Sequence, residues 1–379
     1  MKTTLALILC VCASLLAVSC GNFPYKPTQF IAPKVPPPPN AFVSADTLAS
    51  FLKIQSHNVK LAYTLTPTGL SQTVFFVDFS DSAISPRELK KPADKQDWTA
   101  WSPIISPDGK LVTYYLVSGT QSVAYCQRLD TAAVPTEAIG DPGSEPHFFK
   151  NGQGNLYVTY TDASGGILNG TSTTLTGYHT YKQQIDLATG LKIGSRDSIG
   201  GYPFYGGMSR DGKYICTGYS SAYIYNISAN HFFSINPNQQ TCNPSMTPDS
   251  VLTGSMMFLN IGGHEKLNNM PPEDTGKVGE HQFIFIADTN NNFVKGFNLV
   301  SSLPTYSSEG AEWQCPKWTN VPDYFCALAW NGSDSKHGAP LYNLFIISIS
   351  SPNTPLMLNK PALLQFDSSS KPYVFIGGN

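Results

Sequence analysis

Of the residue types that can do chemistry, the densest gathering lies between Gly262 and His281, where His264, Glu265, Glu273, Asp274, Glu280 and His281 share one polar stretch. Imidazoles beside paired carboxylates are what metal-assisted or acid–base cleavage of a polysaccharide would need. The stretch reads as a long inserted loop, and long loops in compact folds are often functional. His264, Glu265 and His281 are therefore the candidate ligand-binding residues, weighed against the plainer reading of a solvated polar excursion. The other histidines, His57, His147, His179, His231 and His337, are scattered without ligand spacing, so no metal site is expected.

A nucleophile is harder to find. Gly218-Tyr-Ser-Ser-Ala222 has a faint likeness to a serine elbow, but it falls between two strand-like runs with no helix to follow and no hydrolase domain around it. Five cysteines follow Cys20, namely Cys126, Cys216, Cys242, Cys315 and Cys326, and none forms a C-x-x-C pair. Zinc and dithiol redox chemistry thus have no support. Nothing calls for a cofactor, and no catalytic residue is nominated. With 24 Lys+Arg against 26 Asp+Glu and no dense basic cluster, nucleic acid is not expected as a partner either.

The elements that would position such residues are short and β-rich. Val59 to Leu65, Thr73 to Phe79, Leu111 to Val117, Gln121 to Leu129, Leu156 to Thr161, Tyr214 to Tyr219, Ala222 to Ile227, Met256 to Ile261 and Gln282 to Ala287 read as strands separated by turn clusters. Only Ser44 to Ile54 reads as a helix, with Ser44 or Asp46 as its cap. The chain is therefore all-β.

The N-terminal end of the chain differs from this body. Met1-Lys2, the apolar run Leu5 to Val18 and the small residues Ala17-Val18-Ser19-Cys20 form an export signal. Ser19-Cys20-Gly21 resembles the bacterial lipobox, with Ala17 where Leu is more usual; that resemblance implies acylation of Cys20 and anchoring to a membrane by lipid alone. Residues 20–43 are rich in proline, including the run Pro36 to Pro39. An extended segment of this kind could span on the order of 60 Å as a stalk. The expected organisation is a signal peptide over 1–19, a tether over 20–43 and a folded head over 44–379, exported to the cell envelope and either periplasmic or surface-exposed.

Within the head the sequence repeats itself. Trp101-Ser-Pro-Ile-Ile-Ser-Pro-Asp-Gly-Lys-Leu-Val-Thr-Tyr114 lines up with Tyr205-Gly-Gly-Met-Ser-Arg-Asp-Gly-Lys-Tyr-Ile-Cys-Thr-Gly218. Cys242-Asn-Pro-Ser-Met-Thr-Pro-Asp249 keeps the phase, as does Cys315-Pro-Lys-Trp-Thr-Asn-Val-Pro-Asp323 with one inserted residue. Weaker copies begin near Pro146 and Pro361. Pro103, Pro146, Gly206, Pro244, Pro316 and Pro361 mark steps the size of a propeller blade. Asp108, Asp211, Asp249 and Asp323 are expected to hold turns. Cys242 and Cys315 stand at matching points of two copies and are the one nominated disulfide.

Ser106-Pro-Asp-Gly-Lys110 followed by a β-rich strand, with Trp101 before it, resembles the TolB-type propeller repeat. Ser209-Arg-Asp-Gly-Lys213 lacks the proline and Thr247-Pro-Asp-Ser250 lacks the glycine. The resemblance implies six or seven four-stranded blades around a channel, closed by pairing strands near 59–80 with strands near 362–377. It also implies partner binding through the channel mouth and its loops, although some relatives are enzymes or propeller caps on peptidases. The reading is a non-enzymatic binding or scaffolding lipoprotein that engages an envelope protein or an extracellular polymer. The alternative is a carbohydrate-active propeller, a lyase or hydrolase using the 262–281 loop. Trp98, Trp101, Trp313, Trp318 and Trp330 fall at or beside repeat starts and are read mainly as packing between blades.

Overall fold

The computed structural model describes residues 37–377 except 67–70, 131, 164–176, 219–221, 238, 240, 249–251, 253, 262–265, 273–278, 307–309, 334 and 337–338. The signal peptide, Cys20, His264, Glu265 and Asp249 lie outside the described residues.

Six antiparallel sheets form a ring of blades. The first blade joins the two ends of the chain: β25 (Tyr373–Ile376) is innermost, followed by β1 (Val59–Leu65), β2 (Thr73–Asp78) and β3 (Arg87–Glu88). The second runs outward through β4 (Thr99–Ile105), β5 (Leu111–Ser118), β6 (Gln121–Arg128) and β7 (Ala138–Gly140). In the third the order is β8 (Ser144–Lys150), β9 (Leu156–Thr161), β10 (Thr180–Ile185) and β11 (Lys192–Gly200). The fourth has β12 (Tyr214–Thr217), β13 (Ala222–Asn226) and β14 (His231–Ile235), with its innermost strand reduced to a bridge between Met208 and Ile215. In the fifth come β15 (Cys242–Met246), β16 (Met256–Leu259), β17 (Phe283–Ala287) and β18 (Phe293–Asn298). The sixth holds β19 (Glu312–Trp318), β20 (Tyr324–Trp330), β23 (Asn343–Ser348) and β24 (Leu356–Met357), with a small hairpin of β21 (Ser335–Lys336) and β22 (Ala339–Pro340) inserted.

Each blade is apolar on both faces, as it must be when it packs between two neighbours. β2, β17 and β23 are buried along almost their whole length. Phe283 and Phe285 stack at 5.2 Å, and Phe297 of the fifth blade meets Phe325 of the sixth edge-on at 4.8 Å. Ring closure uses Val59↔Ile376 through Ala62↔Tyr373, which pairs β1 with β25 and joins both ends of the propeller in one blade.

The turns that follow the innermost strands are local chemistry. Asp108 Oδ1 accepts from Ser106 Oγ at 2.6 Å and from Lys110 N at 3.2 Å, while Leu111 N donates to Ser106 Oγ at 2.9 Å. Ser209, Asp211 and Lys213 repeat this arrangement at 2.6 and 3.1 Å. Gly109 has φ +73°, and a Cβ there would lie 2.5 Å from the Phe375 ring, so only glycine fits. Asp323, in the same turn of the sixth blade, instead accepts from Ser348 Oγ and Ser350 and ties two turns of one blade together.

The single long helix, α1 (Ala45–Leu52), is capped by Ser44, whose hydroxyl accepts from Thr47 N at 3.2 Å. The segment read as tether up to residue 43 is already docked from Asn40 on. Phe42 bridges Asn359 and is buried with Ala41 between the first and last blades. No helix of the described residues is long and apolar enough to cross a membrane.

Candidate functional site

The innermost strands carry a shared irregularity. Pairing skips between Trp101 and Ile104, between Ser144 and His147, between Cys242 and Ser245, and between Gln314 and Lys317. In each bulge one residue is left-handed: Ser102 at φ +45°, Glu145 at +46°, Asn243 at +49° and Cys315 at +50°. A proline follows every time, because a bulge is one of the few places where a strand tolerates a residue with no N–H. By register, Tyr205 before Gly206 and Lys371 before Pro372 occupy the same place in the fourth and first blades. Bulges re-aim side chains, and four of the six innermost strands carry one.

Contacts across blades show how narrow the lumen is. Lys317 of the sixth blade reaches His147 of the third, the blade opposite it, with Nζ to Nε2 at 3.5 Å. The same Nε2 lies 3.1 Å from the Tyr205 carbonyl. Lys371 Nζ donates to Cys315 Sγ at 3.1 Å, and Tyr115 OH donates to Glu145 at 3.0 Å. Gly207 makes room for His147, since a Cβ at this φ +83° position would lie 2.9 Å from Nδ1.

Charge in this lumen is unbalanced. Burial, with Lys317 beside it, holds His147 well below the ordinary imidazole range, so its ring is neutral at pH 7. Burial also lowers Lys317, with Lys371 adding to the effect and Glu145 opposing it. For Lys371 burial pulls down as well, but Cys315, Glu145 and Asp367 outweigh it and the net shift is upward. Among the described residues neither lysine has a carboxylate within 4.0 Å, whereas Lys60, Lys182 and Lys192 are each paired with one.

Of the ligand-binding residues nominated from sequence, His281 falls elsewhere, and His264 and Glu265 lie outside the described residues. His281 is 4% exposed, at the base of the 260–282 connection, where its N–H donates to the Asn260 carbonyl. Its Nδ1 lies 2.8 Å from Gln314 Nε2 and 3.6 Å from Glu312 Oε2, so it is committed to the wall of the mouth. The loop does not simply overhang the channel, for Asn268 bridges Asn292 at the outer part of the blade. No cluster of three or more His, Cys, Asp or Glu that could hold a metal occurs among the described residues.

The Cys242–Cys315 disulfide is corrected, because Cys315 is a free thiol. Cys242 matches Gln314 in register, one place before the left-handed residue, and packs between the fifth and sixth blades, whereas Cys315 turns to the lumen. Burial pushes the Cys126, Cys216 and Cys326 thiols up, the last to about 12, and they act as small apolar residues.

Glu312 is held below the usual carboxylate range. Burial pushes it up, but hydrogen bonds with His281, Tyr342 and Gln314 outweigh that. A depressed folded-state value gives stability that is present above the unfolded carboxylate pKa, about 4.3, and is lost as pH falls through the folded value. Glu312→Gln should therefore lower the melting temperature at pH 7, with the gap to the parent protein closing in melts below about pH 4. An equal gap at pH 7 and pH 3 would contradict this assignment.

No family model matches the chain, and no curated protein does. Among solved structures, TolB from Acinetobacter baumannii superposes over 86% of this chain and 69% of its own, with a TM-score of 0.52 and 14% identity. The fold is that of a TolB-like propeller. Two other structures align less well. Prolyl endopeptidases give a TM-score of 0.44 at 12% identity, over 84% of this chain and 53% of theirs. Hydrazine synthase from Kuenenia stuttgartiensis gives 0.48 at 10% identity, over 84% of this chain and 47% of its own.

What sequence reasoning missed in this TolB-like propeller is the lumen set Glu145, His147, Lys317 and Lys371. Pro103, Pro146, Gly206, Pro244 and Pro316 do mark equivalent positions, so the residues flanking each mark were the available signal. The sixth mark is Pro372, before β25, and not Pro361, which lies in a turn after β24.

Proposed function

We propose that this protein is a non-enzymatic binding propeller of the bacterial envelope, anchored by lipid at Cys20 and engaging its ligand at the channel mouth where the innermost strands begin. The observation that carries this reading is the meeting of polar side chains in the lumen at that mouth. The connections 162–179, 260–282 and 331–342 start and finish on the same side, since each joins the second strand of a blade to the third. The opposite side has only tighter turns after the innermost strands, such as Ser106–Lys110 and Ser209–Lys213. Polar groups ringed by long connections suit recognition of another envelope protein or an extracellular polymer. The carbohydrate-enzyme alternative would draw on His281, whose Nδ1 is bonded to Gln314 and whose side chain is buried.

A photoreactive residue placed at Tyr178, in the 162–179 connection, should give adducts in intact cells, while one at Lys110 on the opposite side should not. Protease or glycosidase sensitivity of the adduct tells protein from polymer. Equal labelling at both positions, or none at Tyr178, would remove the mouth as the site. In the same cells Cys20→Ser should move the protein from the membrane to the soluble fraction.

A further inference from the structure

We propose that Lys317 and Lys371 form an anion site in the lumen, which takes a single carboxylate or phosphate group. This rests on the reading of the channel mouth as the binding surface and specifies the chemistry of what enters it.

The two ammonium groups come from adjacent blades and bear on each other electrostatically. Their nearest partners are a neutral imidazole, at 3.5 Å from Lys317, and a thiol, at 3.1 Å from Lys371. The nearby carboxylates are otherwise engaged. Glu145 receives the Tyr115 hydroxyl, and Asp367 Oδ1 accepts from the backbone and hydroxyl groups of Ser369 and Ser370. Other shielded lysines in this protein are matched: Lys60 has Asp78 at 3.3 Å, and Lys91 donates to Ser71 Oγ and the Gln96 and Trp98 carbonyls.

The cost of withdrawing a cation from bulk water falls on Lys317, where burial and repulsion from Lys371 are only partly offset by Glu145. An anion between the two lysines would relieve both effects at once through charge-assisted hydrogen bonds. Size follows from the same contacts. Because Lys317 spans the axis to the opposite blade, the space suits a group of a few atoms and not a sugar ring. The recess of about 650 Å³ near Lys60, Arg87 and Arg128 offers no such opening, since Lys60 and Arg87 there already pair with Asp78 and Asp81.

The anion can be free or can be carried on a partner, and the experiment separates these. Purified mature protein is titrated calorimetrically with inorganic phosphate, with acetate and with an acidic hexapeptide, at constant ionic strength with chloride as the control. Saturable heat with at least one probe is expected, weakened tenfold or more in Lys317→Met/Lys371→Met. Phosphate or acetate binding identifies a free anion, and binding of the peptide alone identifies a carried carboxylate. Lys317→Met alone should also melt higher than the parent protein without added anion, because a cation disfavoured by burial and by Lys371 is gone.

If the double variant does not fold, carbon-13 dimethyl-lysine spectra of the parent protein provide the readout, with two lysine resonances shifting on addition of probe. No saturable binding by the parent protein, or equal binding by the double variant, overturns the proposal. Adducts at Tyr178 without saturable binding of any anion probe would discard the anion site and leave the binding propeller. Anion binding without any adduct would do the reverse.

Discussion

Removing the residues after Lys371 should abolish cooperative unfolding, not merely lower the melting temperature by a few degrees. The lost segment contains β25, whose side chains alternate between two cores. Val374 and Ile376 pack with Phe42, Leu61 and Leu328, while Tyr373 and Phe375 pack with Ile104 and Tyr114. Burying each such side chain contributes about 1.5–3 kcal/mol, so the four together are worth about 6–12 kcal/mol. That rivals the whole net stability of an ordinary domain, about 5–15 kcal/mol. The truncation also strips β1 of its inner partner and takes away the ring against which Gly109 is seated. Circular dichroism melts and dye binding to exposed apolar surface would measure this. A truncated protein that still melts in one sharp step within about 5 °C of the parent would show that the ring does not depend on its closure.

Trp313→Ala should be the most damaging single substitution between the fifth and sixth blades. Trp313 is 0% exposed, meets Phe345 edge-on at 6.3 Å, and shares a core with Leu259, Ile284 and Phe297. Truncating a buried aromatic side chain to alanine costs about 3–5 kcal/mol, since the surroundings close only partly around the hole. In a chain of this size that corresponds to roughly 6–10 °C in melting temperature. Trp313→Phe keeps most of the apolar volume and should fall between the two. Urea unfolding that ranks the alanine variant equal to the parent protein would show that this inter-blade core is not cooperative with the rest.

Much of the fold can be read from residues because its signals are local. Val59–Leu65 and Leu156–Thr161 are predicted to the residue, since β-rich runs bounded by turn clusters report strands directly. Asp108 and Asp211 are recognised as turn holders because a side chain accepting from an N–H two residues on needs no distant partner. Blade size follows from the repeat, and a count of six follows once the ends are paired.

The lumen set is not legible in the same way, and the reason is physical. A bulge is imposed by the ladder and by the proline after it, so the left-handed position accepts Ser102, Glu145, Asn243 and Cys315 alike, and Tyr205 and Lys371 stand at the matching places of the other two blades. No residue type recurs there, and a search for repeated chemistry passes over it. Lys317 and His147 are 170 positions apart in the chain and meet only because their blades face each other. Misplacing the sixth mark at Pro361 has a similar origin. β25 belongs to the first blade, and the chain between β24 and β25 follows a path that no other blade repeats. The disulfide nomination failed on a single residue, because matching Cys242 with Cys315 ignores the offset inside the bulge.

A molecule held by its N-terminus takes any mechanical load at Phe42. There Lys360 N donates to the Ala41 carbonyl at 2.8 Å and Val43 N to the Leu358 carbonyl at 2.9 Å, so a pull along the backbone must break paired bonds in shear before it can peel a sheet. Residues 41–43 thus work as a gasket over the joint between the first and sixth blades. Tension that drags Ala41 and Phe42 out of that joint would uncover this core first, while β1 and β25 still hold the ring closed.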